Sequence, residues 1–290
     1  MKKIVLIALS ILAFASCKQE APKKEIGIQL YSVRSLLKDY DANHEAVFAQ
    51  LAEMGYTAVE AASFQADKGT FYGVAPEQFK ADCEAAGLKC LSSHTGHNLS
   101  AEEIATGDIS ASLEWWAKAI PAHVAAGMEY IVIPSISIPS ENVEATLKVY
   151  AEYFNAVGKM VNEAGMKFGY HNHSKEFEKR EDIRFEDYML ENTDPAYVFF
   201  QMDVYWAVQG HVSPTAYFEK YPGRFQLLHI KDYREVGQGG CVGFDAIFNK
   251  VDVAGTEAII VEMEGSSYDD ILRTSKESAE YLINSDFVKF

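Results

Sequence analysis

A single α/β domain folded as a closed (β/α)8 TIM barrel is what the sequence predicts, and three observations predict it. First, short apolar runs recur near 26–31, 57–61, 88–93, 129–134, 167–172, 197–203, 225–230 and 257–262. Most are continuous rather than alternating, the pattern of strands buried on both faces of a parallel sheet. Second, helix-length segments lie between them and repeatedly close on glycine, at Gly55, Gly87, Gly127, Gly165 and Gly255. Glycine just past a helix takes the left-handed conformation that ends it. Third, eight such units within residues 26–290 match a barrel of typically about 250 residues. A doubly wound open sheet is the competing fold, and it lacks a Gly-rich phosphate loop here.

The chain begins with a leader. Lys2-Lys3 forms a basic start, Ile4 to Phe14 an apolar stretch, and Ala15-Ser16 precede Cys17. That order reads as a secretory signal over 1–16, with small residues before a cysteine as in a bacterial lipoprotein signal. Cys17 is then the lipidation site and 17–25 a polar tether. The expected location is outside the cytoplasm, lipid-anchored in the bacterial envelope on the periplasmic side or at the cell surface. Removing Lys2 and Lys3 takes the formal charge from −16 to −18. That charge argues against nucleic acid and against an anionic membrane surface, leaving the lipid as the expected membrane contact.

The helices are expected near 42–54, 76–86, 112–126, 141–163, 185–192, 214–221, 244–254 and 268–284. Asp41 and Ser140 suit N-caps, and Pro76 and Pro214 suit first helical turns. Cys83, Cys90 and Cys241 remain after the leader, an odd number that argues against a disulfide framework. Cys83 and Cys90 fit as small core residues.

In a barrel of this kind the active site lies at the C-terminal ends of the strands. The residues there are rich in metal-ligand and acid–base types. Strand by strand they are Gln29 and Tyr31; Glu60; His94 and His97; Pro134 and Ser135; His171, His173 and Glu176; Asp203 and Trp206; His229, Lys231 and Asp232; and Glu262 and Glu264. Five of the eight histidines fall on this one rim. Imidazole mixed with carboxylate holds a divalent cation.

At these residues the chain resembles the xylose-isomerase-like TIM barrels, also called sugar phosphate isomerases/epimerases. The segments that carry the resemblance are Gly27-Ile28-Gln29-Leu30-Tyr31-Ser32-Val33-Arg34, Tyr170-His171-Asn172-His173 with Glu176-Phe177, Met202-Asp203-Val204-Tyr205-Trp206, Leu228-His229-Ile230-Lys231-Asp232 and Val261-Glu262. The resemblance implies one divalent metal, Mn2+ first, with Mg2+, Co2+ or Zn2+ as substitutes. Its ligands would be Asp203, His229 and Glu262, with His171 standing where the family usually has Glu. His173 or Glu176 are the substitutes for that first ligand. A homo-oligomer is also in keeping with the family.

The implied chemistry is proton abstraction beside a carbonyl, with the cation polarising the carbonyl and stabilising the enediolate. Catalytic candidates are His173, Glu176, Glu262 and Lys231. Substrate-contact candidates are Gln29, Tyr31, Glu60, His94 and Trp206. Six of these have a plainer reading: His173 and Glu176 as braces of their strand, Lys231 as the partner of Asp232, Tyr31 and Trp206 as rim packing, and His94 as a satisfied strand-end histidine. The leading expectation is a sugar isomerase or epimerase acting on a small, non-phosphorylated sugar, because no basic cluster marks a phosphate site. A lyase or hydratase acting on keto-glycosides uses the same enolate chemistry. A non-catalytic sugar-binding lipoprotein and a metal-dependent nuclease complete the alternatives, and the charge counts against the last.

Overall fold

The computed structural model describes residues 24–290. The leader, Cys17 and all of the tether but its last two residues lie outside the described residues. Eight parallel strands close into a barrel: β1 (Gly27–Gln29), β2 (Ala58–Ala61), β3 (Lys89–His94), β4 (Tyr130–Ile133), β5 (Lys167–His171), β6 (Val198–Asp203), β7 (Leu227–Ile230) and β8 (Ala258–Val261). Each strand pairs with its sequence neighbours, and β8 pairs with β1. Seven fall within the predicted apolar runs, and β3 extends one residue past its run, to His94.

The helices form the outer layer: α1 (Tyr40–Glu53), α2 (Pro76–Ala85), α3 (Ala101–Thr106), α4 (Ser110–Ala125), α5 (Val143–Glu163), α6 (Phe185–Asn192), α7 (Val204–Gln209), α8 (Pro214–Lys220), α9 (Phe244–Phe248), α10 (Val251–Ala254) and α11 (Ile271–Asn284). No helix among the described residues is long and apolar enough to cross a membrane. The five glycines expected to end helices all have positive φ, from 71° at Gly127 to 102° at Gly55. Pro76 and Pro214 occupy the first helical positions of α2 and α8. Cys83 and Cys90 are buried and free.

The two predicted N-caps are corrected. Asp39, not Asp41, caps α1, accepting from the Ala42 amide at 3.3 Å. Asp41 lies inside the first turn, where its charge suits the helix dipole. Ser140 does not start α5. The backbone at Asn142 turns left-handed, and Glu181 reaches from a distant loop to accept from the Asn142 and Val143 amides.

Two apolar layers hold the barrel. The larger packs the outer faces of the strands against the helices, with Trp116, Tyr153, Phe154 and Phe168 among its fully buried side chains. The smaller fills the lower lumen with Ala58, Leu91, Tyr130, Val132, Phe199, Leu227 and Ile260. Gly169 makes room for that filling, because a Cβ there would sit 2.6 Å from the Phe199 ring. The plugged lumen leaves the C-terminal ends of the strands as the place for a site.

One carboxylate ties the rim together away from that site. Glu103 accepts from the Ser100 amide and hydroxyl and from the Ser112 amide, all at 2.8–2.9 Å, joining α3 to α4 as part of a capping box. Burial opposes its ionisation, but the bonds from Ser112 and Ser100 outweigh burial and bring the carboxyl down to about 2. A folded-state pKa below the unfolded one gives stability that is present above the unfolded value and lost as pH falls towards about 2. Glu103→Ala is expected to cost about 1–2 kcal/mol at neutral pH. Urea unfolding of both proteins should show that difference shrinking as pH falls from 5 towards about 2.

Candidate active site and metal centre

Side chains two apart on a strand share a face. That rule carries the lumen upward from its apolar plug: Phe199, Gln201, Asp203 on β6; Leu227, His229 on β7, with Lys231 just beyond; Gly169, His171 on β5; Ile260 on β8, with Glu262 just beyond. Register aligns them around the barrel, with Asp203 opposite His229 and Gln201 opposite His171.

His171, Asp203, His229 and Glu262 each offer one ligand atom, and these atoms lie within 4.8 Å of one another. All four side chains are buried. His94 joins His171 and His229 within the same limit. The structure therefore brings together the four residues expected to hold a metal.

Their chemistry fits a divalent cation. Asp203 Oδ2 and His229 Nδ1 are buried without a hydrogen-bond partner, which is costly unless something else satisfies them. His229 Nδ1 lies 3.4 Å from Glu262 Oε2, close enough for charge attraction but not aligned as a hydrogen bond. His229 Nε2 meets Glu60 Oε1 at 2.7 Å. A histidine that donates one ring nitrogen to a carboxylate and offers the other is the usual form of a metal ligand. Burial works against charge on His229, but Glu60 and Glu262 outweigh it and raise the ring to about 10. Burial pushes Asp203 up to about 7 against the pull of Lys231. Glu262 is held well below the usual carboxylate range, burial being overcome by His229 and Lys231.

A cavity of about 280 Å³ opens above this cluster, lined by Tyr31, Ala62, His94, Pro134, His171, His173, Glu262 and Glu264. His173 stands on its wall with its ring 5.0 Å from His171 and 5.8 Å from Trp206. Burial lowers His173 to about 4, so the ring is neutral at ordinary pH. Tyr31 is 42% exposed at the mouth and carries the Arg34 guanidinium 3.9 Å over its ring. A larger recess of about 430 Å³ lies at the opposite end of the barrel. Three of its four charged lining residues are in ion pairs, Lys89 with Glu129 at 2.6 Å and Glu257 with Lys167 at 2.5 Å.

Several expected site residues sit elsewhere. Gln29 and Glu60 are fully buried beneath the cavity. Gln29 donates to Glu60 at 2.7 Å and accepts from the Tyr31 amide at 3.0 Å, so both belong to the layer under the site rather than to the substrate wall. Glu176 is also fully buried. Its oxygens accept from the Tyr170 hydroxyl and the His173 amide, both at 2.8 Å, which makes it the brace that sets the His173 turn. Trp206 stands behind His173 and is not among the cavity-lining residues, with its ring 5.7 Å from the Lys231 ammonium. Lys231 does not pair with Asp232. It lies 3.4 Å from Glu262 and 3.1 Å from Glu264, and these charges with Asp203 outweigh burial and hold it protonated. Asp232 accepts from the amides of Tyr233, Gly237 and Gly239 and ties down its own loop.

Three residues of the site were not singled out from the sequence: Gln201, Ser92 and Asn172. Gln201 sits two before Asp203 in an otherwise apolar strand, and that spacing was the available signal. Asn172 clamps the Asp203 backbone, its Oδ1 accepting from the Asp203 amide at 3.0 Å.

Known proteins carry the same architecture. Residues 48–285 match the family model described as xylose isomerase-like TIM barrel. A crystal structure described as a sugar phosphate isomerase/epimerase from Parabacteroides distasonis superposes with a TM-score of 0.84 at 34% identity, covering 96% of this chain and 100% of that one. An inosose dehydratase from Geobacillus kaustophilus is 23% identical over 259 residues, 76% of this chain and 80% of the relative. One from Clostridium beijerinckii is 27% identical over 146 residues, 42% of this chain and about half (48%) of the relative's length. With the barrel, the strand-end cluster and the family match in agreement, the chain belongs to the xylose isomerase-like TIM barrel family.

Proposed function

We propose that this protein is a divalent-metal-dependent enzyme that removes the proton next to a carbonyl of a small, unphosphorylated sugar or cyclitol. The single observation that carries this is the buried His171–Asp203–His229–Glu262 cluster, with two unpartnered ligand atoms, at the base of a cavity. A bound divalent ion would polarise the carbonyl and stabilise the enolate oxygen. Mn2+ is our first candidate, and the imidazole content keeps Co2+ and Zn2+ beside it while disfavouring Mg2+. His173, neutral and on the cavity wall, is the base. The Lys231 ammonium, beside Glu262 and Glu264, supplies a proton or holds an oxyanion. The cavity lining itself carries Glu262 and Glu264 and no lysine or arginine, and Lys231 beside it is already matched by those two carboxylates, which supports an unphosphorylated substrate.

The fate of the enolate decides the product. Epimerisation through two facing carboxylates fits poorly, because His171 occupies one of the two positions. A single neutral base with a nearby ammonium acid suits elimination, in which a hydroxyl or glycosidic oxygen leaves as it is protonated. The inosose dehydratase relatives support that direction. An isomerase or epimerase is the second reading, supported by the name of the Parabacteroides distasonis structure. We also propose export with lipid attachment at Cys17, which labelling with a radioactive fatty acid in wild type and Cys17→Ala would check.

The test of function uses the 25–290 chain loaded with Mn2+ and a panel of inososes, ketohexoses and 3-keto-glycosides in heavy water. The expected result is loss of water or release of the second group to give the unsaturated ketone or its tautomer, with deuterium at the carbon beside the carbonyl of the recovered substrate. Deuterium in recovered isomers without elimination moves the epimerase reading to first place. Metal-loaded protein that binds these sugars and exchanges no proton overturns the enzymatic reading.

A further inference from the structure

We propose that Gln201 is a positioning residue that, with Glu60, fixes which ring nitrogen of His94, His171 and His229 faces the hydrogen-bond network, so that His171 Nε2 and His229 Nδ1 are left for the metal cluster. The inference rests on the metal-site reading of the cluster and extends it to residues beneath the site.

Hydrogen-bond direction is set step by step around a closed network. The Tyr31 amide donates to Gln29 Oε1 at 3.0 Å, so Gln29 must turn its NH2 group to Glu60, at 2.7 Å. Glu60 also receives Ser92 Oγ at 2.6 Å and Gln201 Nε2 at 2.9 Å. A carboxylate ringed by donors has only acceptor sites to offer. Gln201 therefore turns its NH2 group down to Glu60 and its carbonyl up. The carbonyl meets His94 Nε2 at 2.7 Å and His171 Nδ1 at 3.0 Å. An oxygen accepts, so both nitrogens carry hydrogen. Neutral His171 is then bare at Nε2 and neutral His94 bare at Nδ1. Glu60 Oε1 takes the third histidine, His229, at Nε2, which leaves Nδ1 as its ligand atom once a metal displaces the proton there.

The rings are held as well as oriented. His94 stacks on His229 with centroids 5.1 Å apart, and His171 meets both edge-on at 4.9 and 4.6 Å. One buried amide and one buried carboxylate thus prepare two imidazole donors, His171 and His229, beside the carboxylates of Asp203 and Glu262, with His94 held against both rings. Such an imidazole-containing set suits Co2+, Ni2+ and Zn2+ better than Mg2+.

The test uses the 25–290 chain, with Co2+ alone as the probe. Long-range proton–nitrogen spectra of metal-free, histidine-labelled wild type should show neutral His171 protonated at Nδ1 and neutral His94 protonated at Nε2. Gln201→Met keeps the side-chain length and removes both hydrogen-bonding ends. It is expected to blur both tautomers and weaken Co2+ binding by about 10–100-fold in chelator competition, the usual effect of losing an outer partner. Wild-type spectra with His171 protonated at Nε2 would overturn the proposal, whether or not the variant folds. So would a folded Gln201→Met that keeps wild-type Co2+ affinity. Failure of the metal reading looks different: wild type would then bind neither Co2+, Zn2+ nor Mn2+, whatever its tautomers.

Discussion

Asp203→Asn is expected to lose the metal while keeping the fold, with Mn2+ or Co2+ affinity down by more than about 100-fold, since outer partners alone cost about 10–100-fold. The two oxygens of Asp203 do different work. Oδ1 accepts from the Trp206 amide at 2.8 Å and caps α7. Oδ2 is buried with no partner. Asparagine can cap a helix about as well as aspartate, so its carbonyl keeps the first role. Its NH2 group then takes the place of Oδ2, and an amide NH2 does not ligate. The backbone stays clamped by Asn172. Alanine would mix metal loss with a cap loss of about 1 kcal/mol, which is why asparagine is the cleaner variant. The measurement is thermal unfolding with and without added metal. Wild type should gain about 2.7 kcal/mol at a hundredfold excess over Kd, and Asp203→Asn should gain almost nothing. Equal stabilisation of both proteins would place the metal elsewhere.

The ligand cluster was legible in the sequence because two local rules meet there. Strands buried on both faces read as apolar runs, and a polar residue that ends such a run must have a reason to be there. Asp203, His229 and Glu262 each end one. The layer beneath was harder to read. Glu60 looked like a rim residue, and only the closed barrel brings Gln29, Ser92, Gln201 and His229 onto its two oxygens from four other strands. Glu176 lies three residues beyond His173, which looks like a catalytic spacing. The turn between them instead folds its carboxylate back onto the His173 amide and under the Tyr170 hydroxyl. The start of α5 was misread for a similar reason. Its first amides are satisfied by Glu181, nearly forty positions away, and no local pattern announces such a partner.

His173→Gln should lower kcat by about 10²–10⁴, the range for loss of a positioned base, with metal content unchanged. The assignment follows from what the other groups are already doing. His171 commits Nδ1 to Gln201 and its other nitrogen to the metal cluster. Glu176 has both oxygens occupied by Tyr170 and His173. Lys231 is held as the ammonium by Glu262, Asp203 and Glu264. Glu262 is one of the four candidate metal ligands and is held ionised by His229 and Lys231, which makes it a poor acceptor for a carbon-bound proton. His173 is neutral, lines the cavity and carries no ligand role. Glutamine retains the hydrogen-bonding reach of the ring and removes its basicity, so substrate affinity should change far less than kcat. Loss of solvent deuterium exchange at the carbon beside the carbonyl, with Mn2+ still bound, would assign the base to His173. If exchange continues at the wild-type rate, Glu262 is the remaining candidate, and a carboxylate base that also holds the metal would shift the balance from elimination back towards epimerisation.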